Sequence, residues 1–254
     1  MRTIKKTKPF IGIGIVLIVW VFVTKFEIFN SYVLPTPTKV LESFFKMLES
    51  GELFEDIFIS LMRVLKGFSI AFILAFVMGT FRTLVPSSVA YYEHILEFLR
   101  NVPPLSMIPL LILWCGIGET TKTVIIVLAS FFPMYLSIVK GFTSCDGRLL
   151  EVGNVFGYTD FQKFTRIILP SAMTDIIVGM RIGMGYSWRA IIGAEMVAAS
   201  TGLGHQILFS QQMSRTDKVI VGILVIGIVG ILTDRVFVFV LKKLWKGSEE
   251  HGWN

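Results

Sequence analysis

Charge is scarce in this chain. Of its 254 residues, 17% are charged and 54% are hydrophobic. A soluble domain of this length usually carries roughly 25% charged residues. The apolar residues also gather in long runs between short charged clusters. About 18 such residues in a row suffice to cross a bilayer core. Histidine and cysteine are scarcer still. His94, His205 and His251 form no H-E-x-x-H pattern, so the zinc-protease signature is missing. Cys115 and Cys145 have no partners at metal-ligand spacing, and two cysteines make no disulfide framework. No metal site is expected. The formal net charge is +6, but the basic residues flank the apolar runs. No basic stripe interleaved with aromatics occurs, which argues against nucleic acid. The distribution fits the positive-inside bias of a protein embedded in a lipid bilayer.

A cleavage signal is also lacking. Arg2, Lys5, Lys6 and Lys8 precede an apolar stretch over residues 10–23, as in a signal peptide. No small-residue A-x-A site follows; the chain continues Thr24-Lys25-Phe26-Glu27. A retained first span is expected.

Hydropathy then predicts an all-α, polytopic membrane protein with about six transmembrane helices. They cover roughly residues 10–29, 57–81, 91–114, 122–142, 171–199 and 219–241. Pro35 and Pro37 stop the first, and Thr36 or Thr38 is placed to cap an amphipathic segment reaching Ser50. If the N-terminus is cytoplasmic, the inner segments hold Arg2, Lys5, Lys6, Lys8, Arg82, Arg148, Lys163, Arg166, Lys242, Lys243 and Lys246. The outer segments hold only Lys39, Lys46, Lys122, Arg215 and Lys218. Both termini are therefore expected inside a cell inner membrane, and Cys115 and Cys145 toward opposite faces. The expected organisation is an N-terminal helix with an outer segment (1–54), a transmembrane domain (55–245) with a cytoplasmic loop (143–170), and a cytoplasmic tail (246–254).

The third span contains Pro103, Pro104 and Pro109. Carbonyls freed by proline are tolerated at membrane depth only beside protein or a water-filled cavity. Two readings stand: a kinked packing helix, or a broken helix that lines a pathway with Asn101 and Ser106. The fifth span spaces Arg181, Trp188 and Glu195 seven residues apart, on one helix side. Arg189 lies about 100° around from Trp188. Intramembrane charge is costly and tends to face a bundle interior or an aqueous path. The four residues either line a pathway, with Arg181 or Arg189 attracting an anion and Glu195 in an outer gate, or Arg181 snorkels or pairs structurally and Glu195 lies at the outer interface. Gly179 with Gly183, and Ala71, Ala75 and Gly79, permit close helix contact, expected within the monomer rather than at a dimer seam.

The loop is the most informative segment. Glu151, Gly157, Ile167, Leu169 and Pro170 stand at fixed spacing. Glu151 is expected to open a short helix and Gly157 to permit a sharp turn. Pro170 suits the first turn of the next helix. Phe156, Phe161 and Phe164 are too apolar for a solvated loop and suit a partner's groove. The pattern resembles the EAA loop of ABC importer permeases: E-A-A, three residues, G, nine residues, I-x-L-P. Val152 and Gly153 replace the two alanines. The segments Ser60–Phe68, Arg100–Gly118 and Ser187–Glu195 with Gly202-Leu203-Gly204 are similar to the nitrate, taurine and aliphatic-sulfonate subgroup. The resemblance covers about residues 55–245. It implies a type I permease fold, a homodimer, a cytoplasmic ABC ATPase dimer and an extracytoplasmic solute-binding protein. It implies that ATP and Mg are bound by the ATPase and no cofactor by this chain. It also implies that Glu151, Gly157, Phe161, Ile167, Leu169 and Pro170 couple to that ATPase.

Two other readings compete. Residues 116–123 nearly match a Walker A loop, but Thr121 stands where glycine must precede the lysine. Ser187 lacks the second glycine of a nucleophile elbow. A channel or an intramembrane enzyme fits the hydropathy yet leaves the loop pattern unexplained.

Overall fold

The computed structural model describes residues 4–244. The expected tail at 246–254, with Lys246, and Arg2 lie outside the described residues. Within them every element is helical. Helix α1 (Ile4–Lys25) leads through a turn to the amphipathic α2 (Pro37–Glu49). Thr36, not Thr38, caps α2 by accepting the Lys39 N–H at 3.4 Å. Four segments are long and apolar enough to cross a membrane: α3 (Glu52–Leu84), α6 (Glu119–Thr143), the continuous stretch Asp160–Ala198, and Thr216–Leu241 within α11 (Thr216–Leu244). A bent pair, α4 (Val89–Asn101) and α5 (Ile108–Cys115), makes a fifth when its two arms are taken together as one span. The remaining predicted span falls on α1, whose shorter apolar part is Gly14–Lys25.

Small residues decide how the spans meet. Lipid tails are as apolar as leucine, so helices associate through close packing rather than hydrophobic exclusion. α6 sits between α3 and α9 (Leu169–Ala198). A Cβ on Gly67 would lie 2.6 Å from Ile126, and one on Gly79 would lie 2.7 Å from Ile138. On the other side of α6, a Cβ on Gly179 would lie 2.6 Å from Ser137 and one on Gly183 2.5 Å from Met134. Ala71 and Ala75 are fully buried on the same α3 face. Both small-residue patterns are seams inside the monomer. Ile228, Leu232, Val236 and Phe239 of α11 stay exposed, as lipid-facing or partner-facing side chains must in a membrane span.

The third span is broken. α4 and α5 meet at 91° across Val102-Pro103. Pro103 and Pro104 offer no N–H, and the residue before a proline is pushed to extended backbone. Val102 has φ −83° and ψ 120°. Of the two readings for residues 91–114, a kinked helix and a broken one, the structure shows the broken one, built of two short arms. The fifth span is also longer than expected. It begins at Asp160, because α8 (Asp160–Lys163) continues through a π turn (Phe164–Ile168) into α9. In that turn the Leu169 N–H reaches back five residues to Phe164 O. The wider turn eases the passage of Pro170, which has no N–H of its own.

Two ends can now be distinguished. The loop end carries α7 (Gly147–Val155), α8 and the C-termini of α3 and α6. The far end carries α2, α10 (Leu203–Gln212) and the N-termini of α3, α6 and α11. Cys115 and Cys145 are free thiols, the first closing α5 and the second just beyond α6.

Candidate functional site

At the loop end the chain builds a compact bracket from local hydrogen bonds. Asp146 caps α7 by accepting the Arg148 N–H at 2.9 Å. Glu151 therefore lies mid-helix and exposed, and the expectation that it opens the helix is corrected: the cap stands five residues earlier. α7 ends in a Schellman motif. Tyr158 N–H donates to Gly153 O at 2.9 Å and Gly157 N–H to Asn154 O at 3.0 Å. Gly157 has φ +68°, the left-handed turn expected of it. A capping box follows: Thr159 N–H meets Gln162 Oε1 at 2.9 Å, and Gln162 N–H meets Thr159 Oγ1 at 3.3 Å. Lys163 Nζ donates to Asn154 Oδ1 at 3.0 Å. Arg166 covers the Tyr158 ring at 5.2 Å. Ile167 Cδ1 lies under Gly153, where a Cβ would approach it to 2.9 Å.

The bracket presents an apolar surface. Val155 is 85% exposed, Phe156 70% and Phe161 66%, with Leu149 and Val152 about half exposed. Phe164 is different. It is 4% exposed, with its ring 5.1 Å from that of Phe142. Its expected place in a partner's groove is corrected: the π turn points it into this chain's core. Of the loop residues singled out, Glu151, Gly157, Phe161 and Pro170 are exposed, while Ile167 and Leu169 are half-buried.

The far end holds a buried polar cluster. Glu195 is fully buried. It accepts from Ser60 Oγ at 2.8 and 2.9 Å, Gly204 N–H at 3.0 Å and Arg63 NH1 at 2.8 Å. Arg63 also donates to Thr201 O at 2.8 Å and to Glu119 at 2.6 Å. Lys122 Nζ reaches Glu119 at 2.7 Å. Asp56 Oδ1 accepts the Gly202 N–H at 2.7 Å. The cluster joins α3, α6, α9, the 199–202 turn and the start of α10. The near-Walker loop belongs to it: Lys122 is buried on Glu119, and Thr121 Oγ1 donates to Gly116 O at 2.6 Å. Ser60, Arg63, Asp56 and Glu119 were not expected as a group. The available signal was the rarity of charge beside apolar runs. Gly204 is pinned hardest, since a Cβ there would lie 2.3 Å from Ile192 O. Gly204→Ala is expected to lower the melting temperature of the detergent-purified protein by several degrees, through displaced backbone rather than a movable side chain. An unchanged melting temperature would contradict this close approach.

The pathway candidates divide. Arg181 pairs with Asp234 of α11 through bonds of 2.9 and 2.8 Å. Trp188 is buried, and its Nε1 donates to Ile226 O at 3.2 Å. Arg189 is exposed over the Tyr186 ring at 5.6 Å. These three line one cavity of about 820 Å³ between α9 and α11. Glu195 does not join them; its side of α9 is covered by α3, the 199–202 turn and the start of α10. Asn101 and Ser106 are exposed on either side of the Val102–Pro104 break and bond their own backbone, to Glu97 O at 2.8 Å and Pro103 O at 2.7 Å.

Comparison with known proteins agrees with this architecture. Residues 67–246 match the model of the family described as binding-protein-dependent transport system inner membrane component. A putative aliphatic sulfonates transport permease protein, SsuC of Bacillus subtilis, is 33% identical over 93% of this chain and 87% of its own length. The Escherichia coli protein of the same name is 34% identical over 93% and 89%. Among solved structures, the inward-facing MetNI methionine ABC transporter matches with a TM-score of 0.55 over 76% of this chain and 96% of the matched chain, at 16% identity. That last likeness concerns the fold alone, which is the type I permease fold. With its spans, its loop and its matched length, this chain belongs to the binding-protein-dependent transport system inner membrane component family, the permeases of ABC importers.

Proposed function

We propose that this permease carries a small oxyanion, of the aliphatic sulfonate class, across a cell inner membrane on ATP hydrolysed by a separate subunit. The observation that carries the reading is the exposed apolar bracket at the root of a 39-residue helix. A push on α7 and α8 is delivered to α9 without an intervening flexible joint, since the π turn keeps the helix continuous. Glu151, Gly157, Phe161, Ile167, Leu169 and Pro170 form or support the docking element for a cytoplasmic ATPase dimer, which holds ATP and Mg. The excess of Lys and Arg at the loop end supports a cytoplasmic location for that end and for both termini. A solute-binding protein then meets the far end. Two copies of the chain enclose the path, with Arg181, Trp188 and Arg189 on its wall and Glu195 fastening the outer end. Residues 55–245 act as the transmembrane unit and 143–170 as its coupling part. The sulfonate preference rests on the two SsuC relatives and on the arginines of the α9–α11 wall.

The test is a pull-down of the tagged chain from native membranes, paired with uptake of methanesulfonate and nitrate in cells. Recovery of a Walker-type ATPase with the parent chain, and methanesulfonate uptake, are expected. In Gly157→Val the turn is opposed by a β-branched side chain at positive φ, a rare and strained combination. Insertion is expected to persist while ATP hydrolysis and uptake come apart. Coupled uptake at the parent rate in that variant would remove the turn from the mechanism.

A further inference from the structure

The wall between α9 and α11 holds more positive charge than its one acid balances. Arg181, Arg189, Arg235 and Asp234 line the cavity of about 820 Å³, together with Tyr186 and Trp188. Three guanidiniums face one carboxylate. Arg181 and Asp234 are each less than half exposed, at 44% and 43%, and meet in a two-bond fork. Among the described residues, no carboxylate lies within 4 Å of Arg189 or Arg235. Arg189 is oriented by the Tyr186 face but not neutralised by it. All four charged groups belong to membrane spans. Charge in such a position faces water or a polar solute rather than lipid. The wall also has room, since a Cβ on Gly185 or Gly227 would meet nothing within 4 Å.

We propose that this cavity is an anion chamber and that Asp234 is its built-in competitor. The reasoning rests on the importer reading above. A guanidinium fork binds a carboxylate or a sulfonate through the same pair of parallel bonds. An entering sulfonate takes the Arg181 fork in place of Asp234. The displaced carboxylate then repels the solute, and its return to Arg181 drives the solute out. A translocation site must bind well enough to admit its cargo and weakly enough to release it. Three unopposed guanidiniums would fail the second condition, and one carboxylate placed on a fork meets it.

The experiment reads the charge of the chamber without requiring transport. Cysteine is placed at Gly227 in the full chain in native membranes, with Cys115 and Cys145 replaced by serine. Its modification by the anionic sulfonatoethyl methanethiosulfonate is compared with that by the cationic trimethylammonioethyl reagent. The ratio of the two rates is expected to exceed that of a free thiol by about tenfold or more, as fields in a charged cleft concentrate counter-ions. Asp234→Asn is expected to raise the ratio further, Arg189→Gln to lower it, and methanesulfonate to slow the anionic reagent more in Asp234→Asn than in the parent. Arg189→Gln breaks no ion pair, so the test stands if Asp234→Asn does not insert. A ratio at the free-thiol value, or no reaction with either reagent because lipid fills the groove, overturns the chamber. A ratio unmoved by Asp234→Asn overturns the competitor. Labelling uses neither ATP nor a binding protein. A failed pull-down with a high ratio therefore defeats the importer reading alone, and a successful pull-down with no anion preference defeats the chamber alone.

Discussion

Arg63→Ala is expected to cost the folded permease about 3–5 kcal/mol, the usual penalty for removing one partner of a buried ion pair. Glu195 is fully buried, and Arg63 supplies its only cationic contact, at 2.8 Å, among the described residues. Removing the guanidinium leaves a carboxylate held by Ser60 and Gly204 alone. It also strands the Thr201 carbonyl and leaves Glu119 to Lys122. The outcome should be a lower melting temperature of the detergent-purified chain and a reduced level in the membrane. Arg63→Met combined with Glu195→Gln should recover much of the loss, because no uncompensated charge then remains. The far end would still close, since Asp56 holds the Gly202 N–H independently of Arg63. A single variant as stable as the parent would mean that Ser60 and Gly204 satisfy the carboxylate without the arginine.

That cluster also shows where sequence reasoning stops. Hydropathy located the spans because crossing a bilayer needs a continuous apolar run, and the run is visible in one dimension. Gly157 was legible for the same kind of reason: a left-handed turn is a local demand that glycine meets. The Schellman motif and the capping box beside it are local too, although the sequence reading did not name them. Arg63 and Glu195 are 132 residues apart. No local pattern joins them, and the seven-residue spacing of Arg181, Trp188 and Glu195 suggested a common face. That face divides, because α3 covers its outer third and α11 its middle. The break at Val102-Pro103 was foreseen as one of two readings. Its 91° angle depends on what packs beside it, which proline content does not state. Phe164 was misplaced because three phenylalanines in one loop look alike until a π turn rotates one of them inward.

The three phenylalanines supply the other large effect. Phe156→Asp with Phe161→Asp is expected to abolish ATPase recovery and reduce solute uptake by at least a hundredfold. Burying one such ring contributes roughly 1.5–3 kcal/mol, and each 1.4 kcal/mol is about tenfold in affinity. Two rings lost from a docking face therefore weaken it by several powers of ten at constant fold. The fold should hold, because both rings are largely exposed and substitutions at such positions usually change stability by less than about 0.5 kcal/mol. Phe164→Asp separates the two kinds of residue. Its ring packs on Phe142 inside the chain, so a carboxylate there should lower the melting temperature and the membrane level before any docking is measured. If Phe156→Asp with Phe161→Asp retains the ATPase at the parent level, the apolar bracket faces lipid or solvent rather than a partner. The 39-residue helix would then have no input at its root, and α9 would have to be moved from its other end.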